Sequence, residues 1–325
     1  MVMGKILIGI HGLKNKPPQL ILEMWWRKAL LEGLRMIGHH HPFLKFALVY
    51  WADCLHDQPQ NPFIESETDP LYVSHPYVAL KDIQTPAHTA LKQKMSDHVY
   101  RHLMGDKMFS RIPGLTNWFL RNRFKDFYIY FGMDHDHRTE TTKRTAIKKS
   151  IQKRLRQKLQ QHKDDEILLI AHSMGAIIAF EVLTELQENI NVHTLITIGA
   201  PLTLPFVFHR LQAEEDPGHN NKHLYVPSTI TRQWYNLYDE KDKIARKADF
   251  SKKFHPNDFG VGVQDIRVDN TYVYNEEAVP HNIFGYLRTP EMAGIVNEFI
   301  EEGQAKWILH SKRLFNRLFS LVGKH

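Results

Sequence analysis

Glu166-Ile-Leu-Leu-Ile-Ala-His-Ser-Met-Gly-Ala176 changes character halfway along. Glu166 to Ile170 is a short, continuous apolar run, the pattern of a strand buried on both faces of a parallel sheet. Ala171, Ser173 and Gly175 then bring small side chains, with His172 and Met174 between them. From about Ala176 the chain is apolar again and reads as a helix. A strand, a tight turn and a helix follow one another, and the turn carries a serine.

Working outward, similar apolar runs recur. Lys5-Ile-Leu-Ile-Gly-Ile10, Phe46-Ala-Leu-Val-Tyr50, Val192 to Ile198 and Gln233-Trp-Tyr-Asn-Leu-Tyr238 read as strands, and Asn270-Thr-Tyr-Val-Tyr274 as a sixth. Helical patterns lie between several of them. Ile147, Ile151, Leu155 and Leu159 repeat every four residues and draw one apolar stripe. Lys148, Lys149, Lys153, Arg154, Arg156 and Lys158 fill the other faces, as expected of a solvated surface. Strands alternating with helices predict a mostly parallel α/β sheet flanked by helices.

The chain has 325 residues, 42% hydrophobic and 24% charged, enough for a substantial core and unlike a disordered or collagen-like chain. Cys54 is its one cysteine, which excludes an intramolecular disulfide and a multi-cysteine zinc site and fits a reducing, cytoplasmic setting. The net charge of +6 permits contact with an anionic surface without demanding nucleic acid. The basic run at 148–158 lacks interleaved aromatics, so no nucleic-acid partner is expected. No apolar run approaches the roughly 18 residues of a membrane span. Met1 to Ile10 lacks the flanks of a signal peptide and reads as mature structure.

The Ala171-His-Ser-Met-Gly175 turn resembles the G-x-S-x-G nucleophile elbow of the α/β-hydrolase superfamily, with alanine in place of the first glycine. The Ser173 context and the Gly199-Ala-Pro201 run after the next strand resemble its serine esterase and lipase branch most. The resemblance covers about residues 4–50 and 165–302. It implies an α/β-hydrolase fold over residues 1–303, with an insertion at about 52–125. Because so little precedes the Lys5 strand, the antiparallel strands that open larger members are expected to be absent.

The resemblance also implies roles. Ser173 would be the nucleophile, on a turn too tight for large neighbours. His11-Gly12-Leu13, after the first strand, matches the H-G loop of the family. The backbone N–H groups of Leu13 and Met174 would then form the oxyanion hole, with His11, Gly12 and His172 on the substrate side. A serine needs a base and an acid that orients it. Family order places the acid after a late strand, where Asp242, before Lys243-Ile-Ala245, fits best and Asp239 is the runner-up. The base should precede the last helix, expected at Pro290 to Ile300. His281 fits, and His255, upstream of the last strand, is the competitor.

No cofactor or metal is implied. His39-His-His41 and Asp134-His-Asp-His137 hold ligand-type residues, but neighbours in a run more often face solvent. The insertion is aromatic (Trp51, Phe63, Tyr72, Tyr77, Phe109, Trp118, Phe119) and partly helical around 87–103. Residues 304–325 read as a basic amphipathic helix able to touch a membrane periphery or the protein body. Together these favour a small-molecule or lipid acyl ester as substrate. The rival expectation is a non-catalytic ligand- or membrane-binding protein on the same scaffold.

Overall fold

The structure, a computed structural model, describes residues 4–80, 125–131, 138–186, 190–215, 223–245 and 249–303. In chain order the strands are β1 (Lys5–Ile10), β2 (Phe46–Val49), β3 (Glu166–His172), β4 (Val192–Ile198), β5 (Leu224–Tyr225), β6 (Ile230–Tyr238), β7 (Phe254–His255), β8 (Val263–Arg267), β9 (Val273–Tyr274) and β10 (Glu277–Ala278). The helices are α1 (Gln19–Met36), α2 (Lys125–Phe131), α3 (Arg138–Gln161), α4 (Met174–Glu185), α5 (Pro205–Glu215), α6 (Phe250–Lys253), α7 (Ile283–Arg288) and α8 (Pro290–Glu301).

The apolar strands run continuously because both of their faces are buried. Ile6, Ile8, Ile10, Ile167, Leu169 and Ala171 point to the core shared with α3, α4 and α5. Their alternates Leu7, Leu168, Ile170, Ile196 and Ile198 point to the core shared with α1, α7 and α8. Each fully buried leucine or isoleucine contributes roughly 1.5–3 kcal/mol, so the two layers hold the sheet from both sides. The sheet has six strands in the order β2-β1-β3-β4-β6-β8, and every neighbouring pair is parallel. This is the mostly parallel, helix-flanked architecture expected from the sequence.

The order reverses between β1 and β3. From β1 the chain passes to one side of the sheet, and from β3 to the other. Crossovers then leave opposite faces, and the carboxyl ends of these two strands are where open α/β sheets bind their ligands. Ile10 pairs with Ala171, so His11 and His172 follow side by side at those strand ends.

The sixth strand differs from expectation. It is β8, Val263–Arg267, paired with β6, whereas Val273–Tyr274 forms a small antiparallel pair with β10. β8 is an edge strand, half open to water, and its Val-Gln-Asp-Ile-Arg sequence does not show as an apolar run. The basic face of α3 also differs. Ile151, Leu155 and Leu159 are buried as the stripe demands, but Lys148 reaches Glu181 at 2.8 Å. Arg154 donates to the Tyr50 carbonyl at 2.8 Å and to Asp53, and Arg156 pairs with Glu185. These cations tie α3 to α4 and to the turn after β2.

The long connection between β2 and β3 carries the expected insertion. Its 72–78 stretch docks on the body. The Tyr77 hydroxyl donates to Glu32 at 2.5 Å, Arg288 grips the same carboxylate at 2.7 Å, and Tyr72 meets Tyr274 at 3.1 Å. The helix expected around 87–103, the aromatics Phe109, Trp118 and Phe119, Asp134 to His137 and the tail 304–325 lie outside the described residues. Among the described residues, no helix is long and apolar enough to cross a membrane.

Candidate active site

Ser173 joins β3 to α4 with φ 53° and ψ −122°, a backbone state that non-glycine residues rarely adopt. The sheet holds it there. Its N–H donates to the Ile198 carbonyl at 2.9 Å, and its carbonyl accepts from Ala176 N–H at 2.9 Å. The turn is too close to β1 for larger neighbours. A Cβ on Gly175 would lie 2.6 Å from the Ile10 carbonyl oxygen, and one on Gly12 would lie 2.8 Å from Ser173 Cβ. Met174 begins α4, where the first N–H groups have no intrahelical acceptor and the helix dipole is positive.

His281 precedes α7 and reaches back to Ser173. Its Nε2 lies 3.1 Å from Ser173 Oγ, and its Nδ1 lies 2.7 Å from Asp242 Oδ2. With Nδ1–H donating to the carboxylate, Nε2 is left to accept from the hydroxyl. Ser173 is 4% exposed and Asp242 fully buried. Burial pushes the Asp242 carboxyl up. His281, the Ile244 N–H and the Tyr286 hydroxyl outweigh that and hold it below its usual range. The Tyr286 hydroxyl donates to Asp242 Oδ2 at 2.8 Å and accepts from Asp239 N–H at 3.1 Å. Gly199 closes the space beneath. Its φ is +54°, and a Cβ there would lie 3.0 Å from Asp242 Oδ2 and 3.1 Å from the His281 ring.

Asp239, the runner-up acid, does not face His281. Its Oδ1 accepts from Lys241 N–H and its Oδ2 from Asn270 N–H, both at 2.7 Å. Asn270 then donates its side-chain amide to the carbonyls of Pro280 at 2.9 Å and Asn282 at 2.7 Å, the two neighbours of His281. Asp239 thus anchors the loop that carries the histidine.

His11 and His172 sit behind the serine. His11 is 1% exposed, stacked on Trp51 with ring centroids 4.7 Å apart. Its Nδ1–H donates to the Gly12 carbonyl at 2.8 Å, and its Nε2 accepts from Trp51 N–H at 3.0 Å. No ring nitrogen is left for a substrate, contrary to the expected placement. Its burial drives it well below the usual histidine range, so it is neutral. His172 donates Nε2–H to the His281 carbonyl at 3.1 Å. Burial first, and then the nearby His281, push it down to about 3.

Other expectations resolve elsewhere. His255 lies in β7 against the rings of His223, at 4.3 Å, and Tyr225, at 5.5 Å. Cys54 is half-buried, 3.9 Å from Ser150 Oγ, and burial pushes its thiol up. His39 pairs with Glu301 at 3.7 Å, and among the described residues no group of three or more His, Cys, Asp or Glu side chains converges as a metal site. Tyr286 and Asn270 were missed from the sequence. Tyr286 had one usable signal: a tyrosine inside an apolar helix must find its hydroxyl a partner. Asn270 had none.

A family model described as the PGAP1-like alpha/beta domain matches residues 116–292. The matched span contains Ser173, Asp242 and His281, and starts beyond the His11–Leu13 loop. No curated protein matches the chain. A parallel sheet reversing at β1 and β3, a serine on the turn between strand and helix, and a family match over more than half of the sequence agree: the chain belongs to the PGAP1-like alpha/beta domain family of the α/β-hydrolase superfamily.

Proposed function

We propose that the protein is a serine hydrolase that cleaves a carboxylic ester through an acyl-enzyme on Ser173. The supporting observation is His281, which bridges Ser173 Oγ at 3.1 Å and Asp242 Oδ2 at 2.7 Å. In this reading His281 Nε2 takes the proton as Ser173 Oγ attacks the acyl carbon. Asp242 keeps Nδ1 protonated and stabilises the imidazolium that forms. The N–H groups of Leu13 and Met174 stabilise the tetrahedral oxyanion, aided by the α4 dipole. His281 then delivers the proton to the departing alkoxide. Water, deprotonated by the same nitrogen, attacks the acyl-enzyme and releases the carboxylic acid and free Ser173. Gly12 leaves room for the acyl carbon, and His172, held neutral, steadies the His281 carbonyl.

The substrate is proposed to be an apolar or lipid acyl ester, met by a cytoplasmic protein at a membrane periphery. The aromatic insertion and the basic 304–325 tail support this. Turnover should then rise with acyl-chain length, and a flat or falling profile would remove the lipid reading.

A fluorophosphonate probe tests the chemistry. The native protein should be labelled, and Ser173→Ala and His281→Ala should not. Ester turnover should fall by roughly 10⁴-fold or more in both, with unchanged thermal midpoints. An unlabelled, well-folded native protein would favour the non-catalytic binding scaffold instead.

A further inference from the structure

The Leu13–Lys14 peptide group is gripped at both ends. Its N–H, on Lys14, donates to Asp126 Oδ2 at 2.7 Å. Its carbonyl, on Leu13, accepts from the Lys16 ammonium, which also bonds the Lys14 carbonyl at 3.0 Å. Lys14 itself has φ 73°. A lysine gains nothing locally from that conformation, so the surrounding contacts impose it. Fixing this peptide fixes the backbone angles beside the Leu13 N–H.

Asp126 comes from the far end of the insertion, at the start of α2, and is 7% exposed. His56 Nε2 approaches the same Oδ2 at 3.3 Å. Burial pushes the Asp126 carboxyl up, but the His56 contact, the Lys14 N–H and the Lys16 charge leave it below its usual range. The helix beneath it is firmly seated. Tyr130 and Phe131 are buried, the Tyr130 hydroxyl donates to Glu181 of α4, and Gln152 of α3 donates to that carboxylate at 3.0 Å. The carboxylate is therefore placed by helices of the core, 112 residues from the amide it holds.

We infer that Asp126 is a positioning residue that aims the Leu13 amide at the oxyanion, so that the seating of the insertion's end on the core sets the turnover of the site. This rests on the ester-hydrolase reading above. The acceptor oxygen matters in this role, and the pairing with His56 is secondary. Removing the acceptor frees the Lys14 N–H to turn toward water, and Lys14 can leave its left-handed state. The Leu13 N–H then loses its aim, which affects the transition state more than the bound substrate.

The test uses the full chain and an ester that the native protein turns over. Asp126→Ala should lower kcat roughly 10- to 100-fold with KM within about twofold, the loss expected when an oxyanion donor is displaced. Asp126→Asn keeps an acceptor oxygen for Lys14 N–H and should recover most of that loss. Lys16→Met releases the other end of the same peptide and should lower kcat by about tenfold, again with KM held. It serves as the second variant should Asp126→Ala fail to fold. Native-like kcat in Asp126→Ala or Lys16→Met, or an Asn variant as slow as the Ala variant, would overturn the inference while leaving the hydrolase reading in place. A native protein that turns over no ester would overturn both, and labelling of Ser173 separates the two cases.

Discussion

The two walls of the site are held differently. On one wall, Asp242 takes N–H groups from Ile244 and Ala245, Asn282 caps α7 through Phe284 N–H, and Ser173 is fixed by the strand and helix it joins. On the other, Lys14 N–H goes to a carboxylate 112 residues away, and His11 is locked to Trp51, 40 residues away. The first wall is made by strand ends and short turns, whose geometry comes with the sheet. The second is an irregular loop held partly by its own Lys16 and His11 and partly by Asp126 and Trp51 packed against it. A loop of that kind is easier to displace without unfolding the protein, because no strand or helix ladder sets its backbone.

The sharpest break in this comparison separates two acids only three positions apart. Asp242→Asn should lower kcat about 10³- to 10⁴-fold, since His281 loses the partner that sets its tautomer. Asp239→Asn should lower kcat by about tenfold or less, but cost about 1–3 kcal/mol in denaturant titrations, because a buried acceptor of two N–H groups is disturbed. Equal kinetic effects would mean that the acid turn works as one unit.

Gly199 tests how tightly the first wall is built. Gly199→Ala should lower kcat roughly 10- to 100-fold, because the new methyl meets both Asp242 and His281. Gly38 also has positive φ, +84°, but open space around it. Gly38→Ala should cost about 1 kcal/mol of stability and leave kcat alone. Comparable kcat losses in the two variants would point to backbone strain in general rather than contact with the pair.

The effect without a kinetic readout concerns the histidines behind the serine. His11 and His172 are neutral when folded, and their usual value of 6.5 returns on unfolding. The unfolded chain therefore binds more protons below pH 6.5, and the stability they contribute is complete above that value. It is lost as pH falls, by up to roughly 1.4 kcal/mol per unit for each ring, and for His172 the loss continues down to about pH 3. Asp242 has its usual value at 3.8 and is depressed further, so its own loss begins well below the pH 6 to 5 window. Denaturation midpoints at pH 7, 6 and 5 should show a shallower decline in His172→Gln than in the native chain. An unchanged decline would mean that His172 is not held neutral.

Much of the fold was legible because its signals are local. Four of the six sheet strands are apolar runs buried on both faces, β6 shows through its Trp234 to Tyr238 half, and the stripe Ile151, Leu155, Leu159 shows as a helix buried on one. β8 escaped because an edge strand does not need apolar residues on both faces. The cations of α3 looked like a solvated face because sequence spacing does not reveal Glu181 or Asp53 across a gap.

The sequence by itself determined the strand, tight turn and helix around Ser173, and the small residues that let β1 and β3 approach each other there. Both follow from periodicity and side-chain size, which are properties of neighbouring residues. The sequence context ranked Asp242 ahead of Asp239, and the tertiary structure showed what each one's oxygens meet: His281 for Asp242, and the Lys241 and Asn270 N–H groups for Asp239. It also decided that Tyr286 and Asn270 support the acid and the histidine loop, and that Asp126 holds Lys14. Most of those contacts join residues that are distant in the chain, and they exist only once the sheet has brought its carboxyl ends together.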